Sequence, residues 1–223
     1  MSGLRVVVFG ASGMVGQGVL RECLLDDRVA SVLAVVRSPL GRSHPRLREA
    51  ATADFADLSP IQDRLGGLDA CFYCLGVSAI GMDERQYTRI SYDYPLAAAR
   101  LLLDLNPGLT FTYVTGEGTD RTERSRAMWA RVKGRTENDL LALGPDTYMF
   151  RPGFIQPLYG ARSRTGWYRA GYAVTAPLLP LLRRFLPDRV TTTETVGRAM
   201  LAVALRGDAE RVLPTREINR LGA

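Results

Sequence analysis

Short apolar runs and longer amphipathic stretches take turns along this chain. Arg5–Phe9, Val32–Val36, Ala70–Cys74 and Phe111–Val114 are nearly unbroken apolar runs, the form taken by strands covered on both faces. Met14–Leu25, Tyr87–Leu105 and Arg126–Leu143 carry helical spacing between them, the last ended by Gly144-Pro145. A weaker strand is expected at Ala50–Ala53 and a sixth at Thr147–Phe150. Alternation of this kind predicts an α/β fold with a doubly wound parallel sheet. After Arg151-Pro152-Gly153 the pattern changes to Gly, Pro and aromatics through Ile155–Pro187. A helix over Glu194–Leu205 follows, opened by Thr191-x-x-Glu194 in the form of a capping box. A strand at Arg211–Leu213 and a terminal helix from about Thr215 complete the chain. The reading is one domain over residues 1–223 with a small C-terminal cap near 155–190. In that cap Leu178, Leu179, Leu181, Leu182, Phe185 and Leu186, with Arg183 and Arg184 between them, form a stripe that fits core packing better than membrane contact.

The first strand runs into Gly10-Ala11-Ser12-Gly13-Met14-Val15-Gly16 and then directly into a helix. Strand, glycine turn and helix in that order form a dinucleotide-binding turn. Gly10 allows the reversal, Gly13 lets backbone N–H groups approach a pyrophosphate, and Gly16 lets the helix pack close to the strand. Ser12, Met14 and Val15 belong to the same phosphate-binding turn.

Composition narrows the partners. The 223 residues are 46% hydrophobic, enough for one sizeable core. The net charge is +6, carried almost wholly by arginine and without a block of like charges. The charge permits anionic partners, including nucleotides, nucleic acid or a membrane surface, but the basic arms of nucleic-acid-binding tails are missing. No run is long enough to span a bilayer, and the first strand begins within a few residues of Met1, so a cytoplasmic protein is expected. Three cysteines do not make a disulfide framework. Cys71 and Cys74 lie within an apolar strand where residues three apart face opposite ways, so no metal site is expected. The one histidine, His44, sits in a Ser-His-Pro loop, which argues against a Ser-His-Asp hydrolase.

The end of the second strand bears on the cofactor. An acidic residue there would bind both ribose hydroxyls of NAD, but this chain has Arg37-Ser38. A guanidinium suits a 2′-phosphate, so NADP (NADPH) is favoured over NAD. Arg42 and Arg46 in the following loop are candidate helpers. Asp54 and Phe55, after the third strand, are candidates to meet the adenine. Leu75, Gly76 and Val77 close the fourth strand, where a glycine admits ribose and pyrophosphate close to the backbone.

These segments, with Gly118-Thr119-Asp120, Val132-Lys133-Gly134-x-x-Glu137 and Phe150-Arg151-Pro152-Gly153, resemble the atypical short-chain dehydrogenase/reductases with an NAD(P)H-binding epimerase-like domain. The likeness is to the branch that includes the Tat-interacting protein and its bacterial relatives. It implies a Rossmann fold, NADP(H) binding and a catalytic Ser, Tyr and Lys in active members. Lys133 matches the family lysine, which holds the nicotinamide ribose and lowers the pKa of the tyrosine one turn earlier. Trp129 stands in the tyrosine's place, and an indole N–H cannot deliver and recover a proton near neutral pH. Thr115 or Gly116 corresponds to the serine, and Pro152, Gly153 and Phe154 to the crossing that meets the nicotinamide amide. Tyr94, Tyr168 and Tyr172 are candidate replacement proton donors. The expectation is an oxidoreductase acting on a small carbonyl or alkene, with Thr115 orienting substrate; a homodimer is compatible with it. The rival is a non-catalytic NADP(H)-responsive regulator that binds a protein partner.

Overall fold

A computed structural model describes residues 3–161 and 188–223. Its strands are β1 (Leu4–Phe9), β2 (Val29–Val36), β3 (Leu47–Ala51), β4 (Ala70–Tyr73), β5 (Thr110–Val114), β6 (Thr147–Arg151), β7 (Phe154–Gln156), β8 (Val190–Thr192) and β9 (Val212–Pro214). Its α-helices are α1 (Met14–Leu25), α2 (Glu84–Thr88), α3 (Tyr94–Leu105), α4 (Met128–Leu143), α5 (Thr193–Arg206) and α6 (Thr215–Leu221). Seven strands form one sheet in the order β3-β2-β1-β4-β5-β6-β9, every neighbouring pair parallel. This is the doubly wound α/β architecture expected. The chain winds outward in both directions from the β1–β4 pair, so a crevice opens beyond their carboxyl ends.

Alternate residues along each strand feed opposite layers. Val6, Val8, Phe72 and Phe150 pack in the layer that contains residues of α1, α5 and α6. Val7, Phe9, Cys71, Tyr73, Phe111 and Tyr113 pack in the layer that contains residues of α3 and α4. Cys71 thus belongs to one layer and Cys74 packs against the other.

One irregularity shapes the site. Between α2 and α3 the helix widens into a π-turn at Arg89–Asp93, with the Tyr94 N–H donating to the Arg89 carbonyl. Pro95 has no N–H to offer Ser91, four residues earlier, and its ring would crowd that carbonyl. The Ser91 oxygen is satisfied from outside the helix, by the Tyr113 hydroxyl of β5 and the Thr136 hydroxyl of α4, both at 2.9 Å.

Several elements depart from expectation. β3 begins at Leu47 rather than Ala50, because polar Arg48 and Glu49 are tolerated in a strand at the sheet edge. The helical run opens at Glu84, where the Asp83 carboxylate accepts the Gln86 N–H at 2.8 Å. The cap of α5 is Thr192, not Thr191; its hydroxyl accepts the Thr195 N–H at 3.0 Å. Most of the expected cap at 155–190 falls on residues 162–187, outside the described residues, together with Tyr168, Tyr172 and the stripe from Leu178 to Leu186. Strands β7 and β8, which flank that stretch, pair in parallel as a separate two-stranded sheet. No helix among the described residues is long and apolar enough to cross a membrane.

Candidate functional site

Gly10 leaves β1 with φ +78°, and a Cβ there would lie 2.5 Å from the Leu75 nitrogen. Only glycine lets the β1 turn and the β4 exit run side by side. At Gly16 a Cβ would stand 2.1 Å from the Gly10 carbonyl oxygen, so helix and turn are in direct backbone contact. Gly13 differs: a Cβ would meet the Gly10 oxygen at 3.3 Å and nothing else within 4 Å. Gly13 is the N-cap of α1, which has no side-chain cap and no acidic residue in its first turn. Among the described residues no side chain caps the positive end of the helix dipole, at Met14 and Val15. Ser12 contributes its carbonyl to the Gln17 amide at 3.0 Å. Beyond β4, Gly76 and Val77 are exposed, and a Cβ on Gly76 would meet nothing within 4 Å.

The strand ends beside this turn carry the cations. Arg37 and Ser38 are exposed just past β2, and Arg37 has no hydrogen-bonded or ion-paired partner among the described residues. The Thr52 N–H donates to the Val36 carbonyl at 2.9 Å, so the chain beyond β3 starts level with Arg37. There Asp54 pairs with Arg89 at 3.0 Å. The Ala56 N–H and the Arg89 charge hold the Asp54 carboxyl below its ordinary pKa. Ala53, Asp54, Met82, Gln86, Arg89, Ile90 and Tyr94 line a groove of about 460 Å³, its outer wall formed by α2 and the π-turn. The Phe55 ring is buried against Phe9 and Tyr94. One expectation is corrected here. Arg46 is no helper of Arg37: it donates to the carbonyls of Leu24, Asp26 and Val29, tying the α1–β2 connection at the amino end of β2, the end away from Arg37.

On the other side of the crevice Lys133, the one lysine of the chain, donates through Nζ to the Thr115 carbonyl at 2.6 Å. Burial lowers its pKa to about 8, against a smaller opposing pull from Glu137. Glu137, one turn later on α4, is fully buried. It accepts the Thr115 hydroxyl at 2.7 Å and Arg151 Nε at 2.9 Å, with Arg151 Nη2 also bound. The Thr115 hydroxyl thus donates inward, to a buried carboxylate. Trp129 lies half-buried over Gly118, whose added Cβ would be 3.0 Å from the indole. Gly134 admits the Asp120 carbonyl, which would stand 1.7 Å from a Cβ there. This contact presses the β5–α4 loop onto the helix that carries Trp129 and Lys133.

Backbone groups expected to meet the nicotinamide amide have partners within the protein. The Gly153 N–H donates to Thr215 Oγ1 at 2.8 Å and the Phe154 N–H to the Arg189 carbonyl at 2.9 Å. The Pro152 carbonyl accepts the Glu117 N–H at 2.9 Å. Tyr94, a candidate proton donor, lines the groove beside Asp54 and Arg89. Sequence reasoning assigned no role to Glu137 or Arg151, although the i, i+4 spacing from Lys133 puts Glu137 on the same helix face.

No protein-family model matches the sequence, and no curated protein matches it. Solved structures do. They include a short-chain dehydrogenase family protein from Francisella tularensis, at 14% identity over 92% of each chain with a TM-score of 0.67. Another is the Bordetella bronchiseptica enzyme WbmF in complex with NAD+, at 17% identity over 98% of this chain and 77% of that one, with a TM-score of 0.68. A third is ADP-L-glycero-D-manno-heptose-6-epimerase from Helicobacter pylori, at 14% identity over 97% and 80%, TM-score 0.68. The shared architecture is the Rossmann-like α/β fold.

Proposed function

We propose that this protein binds a nicotinamide dinucleotide, NADP(H) in preference to NAD(H), as a member of the atypical short-chain dehydrogenase/reductases working in the cytoplasm. The observation that carries the reading is the glycine turn: Gly10 and Gly16 are closed by the protein's own backbone, whereas among the described residues a Cβ on Gly13 would meet only the Gly10 oxygen and the start of α1 has no side-chain cap. These residues fit a pyrophosphate. Arg37, exposed and unpaired among the described residues, would take a 2′-phosphate. The groove beside Asp54 would receive the adenine end, and Lys133 the nicotinamide ribose.

Bound NADPH would supply a hydride to a small carbonyl or alkene. The chain's part is to orient and to exclude water. Lys133, anchored on the Thr115 carbonyl, presents its remaining N–H groups to a ribose. Neither Thr115, committed to Glu137, nor Trp129 supplies the proton, which comes from water or a tyrosine hydroxyl. That same pair of features favours a second reading, a non-catalytic NADP(H)-responsive regulator that binds a protein partner.

Calorimetric titration of the wild-type protein with NADPH and NADH tests the reading. Binding of NADPH, tighter than NADH, is expected; absence of binding to either would overturn it. Turnover of NADPH with ketones and quinones separates enzyme from regulator.

A further inference from the structure

In a chain whose other cations are all arginines, the single lysine stands at the crevice. An arginine would stay charged at any pH the protein meets, whereas an amine can titrate. The surroundings of Lys133 are built around one carboxylate. From its own helix comes Glu137, fully buried. From β6 comes Arg151, bound to Glu137 by both Nε and Nη2. From β5 and the residue just after it come Tyr113, whose hydroxyl is given to the Ser91 carbonyl, and the Thr115 carbonyl, which accepts Lys133 itself. On the side toward α2 and the π-turn, Glu84 is paired with Arg131 and Asp139 accepts the Tyr92 hydroxyl. Asp120, in the loop over Gly134, is committed to the Thr122, Arg124 and Ser125 N–H groups.

Glu137 therefore reaches Lys133 in two ways: through space, as a buried negative charge, and through Thr115, whose hydroxyl it holds while the same residue's carbonyl holds the amine. Resting on the dinucleotide reading above, we propose that Glu137 is a positioning residue that sets the charge state of Lys133, and thereby makes dinucleotide affinity depend on pH. The direction follows from the charges. A protonated Lys133 donates to a ribose and attracts the anionic ligand, so affinity is supported at low pH and falls as the amine loses its proton. Replacing Glu137 by Gln removes the negative charge and leaves Arg151 uncompensated, which disfavours the ammonium further. Replacing Arg151 by Gln does the opposite, leaving Glu137 with its full charge.

Because the chain has one lysine, protein labelled with 13C-lysine gives a single Cε resonance whose shift reports the protonation of Lys133 directly, with no cofactor present. The wild-type midpoint is expected near 8, lower by about one pH unit or more in Glu137→Gln and higher than wild type in Arg151→Gln. A role that merely supports the fold would not move the two midpoints in opposite directions. An unchanged midpoint in folded Glu137→Gln overturns the assignment; if that variant does not fold, an unchanged or lowered midpoint in Arg151→Gln does so. NADPH affinity, measured in parallel by calorimetry, should weaken across the same midpoint in the wild type and across the lower one in Glu137→Gln. Lysine midpoints that shift as described with no NADPH binding at any pH would sink the dinucleotide reading and leave the Glu137–Lys133 coupling standing. Affinity that ignores both midpoints would overturn the pH dependence.

Discussion

The carbonyl oxygen of Gly10 lies 2.1 Å from the point a Cβ on Gly16 would occupy, and it also accepts the Gly13 N–H at 2.9 Å. One backbone oxygen thus fixes the distance between the β1 turn and α1. Gly16→Ala should force them apart and cost about 1–3 kcal/mol or more, as overpacking does. Gly13→Ala, at φ −80° with its nearest contact at 3.3 Å, should cost about 1 kcal/mol or less. Urea unfolding of the two variants should show this order, and equal losses would mean the turn is not held as described.

Arg37→Ala should weaken NADPH binding by about 10- to 100-fold, the worth of a charge-assisted contact of about 1.5–3 kcal/mol. NADH, lacking the 2′-phosphate, should be little affected. Titration of both cofactors against both proteins decides the point: equal losses would leave Arg37 without a part in selecting between them.

Trp129→Tyr restores a hydroxyl one turn before Lys133 and removes the indole that lies over Gly118. General acid catalysis supplies about 10²- to 10⁴-fold, so reduction of ketones or quinones should rise toward that range. Steady-state rates of wild type, Trp129→Tyr and Lys133→Ala measure it. Fast wild-type turnover that survives loss of Lys133 would place the chemistry elsewhere, and inactivity in all three would favour the regulator.

Lys133 also marks stability. Burial lowers its pKa in the folded chain from 10.5 to about 8, so between those values the unfolded chain binds the extra proton. Stability contributed by this residue rises with pH across that window. The stability difference between wild type and Lys133→Met should shift toward the wild type from pH 8 to pH 10 in denaturant titrations. A difference that does not change with pH would show that the amine titrates normally.

The sheet was legible because its central strands are short apolar runs, with the glycine turn placed where β1 ends. The edge strand was less so, since Arg48 and Glu49 dilute its pattern, and three consecutive threonines from Thr191 blurred the cap of α5 by one residue. The π-turn has no periodic signature; Pro95 inside a helical run was its one trace. In the candidate site, the close backbone packing at Gly10 and Gly16 could be read from a contiguous motif. What depends on distant partners could not: Arg46 binds carbonyls about twenty residues earlier, and the Thr115 hydroxyl turns to a carboxylate 22 residues away.

The central claim is that the pyrophosphate sits on the open face of Gly13, before the uncapped start of α1. Gly13→Val would fill that space with a branched side chain, its Cβ meeting the protein's own backbone only at the Gly10 carbonyl oxygen, at 3.3 Å. Calorimetric titration of NADPH into wild type and Gly13→Val, with circular dichroism of the same samples, is the direct measurement. The account predicts a folded variant with affinity reduced by about 100-fold or more, a loss of some 2.7 kcal/mol. A folded variant that binds NADPH as tightly as the wild type would contradict it.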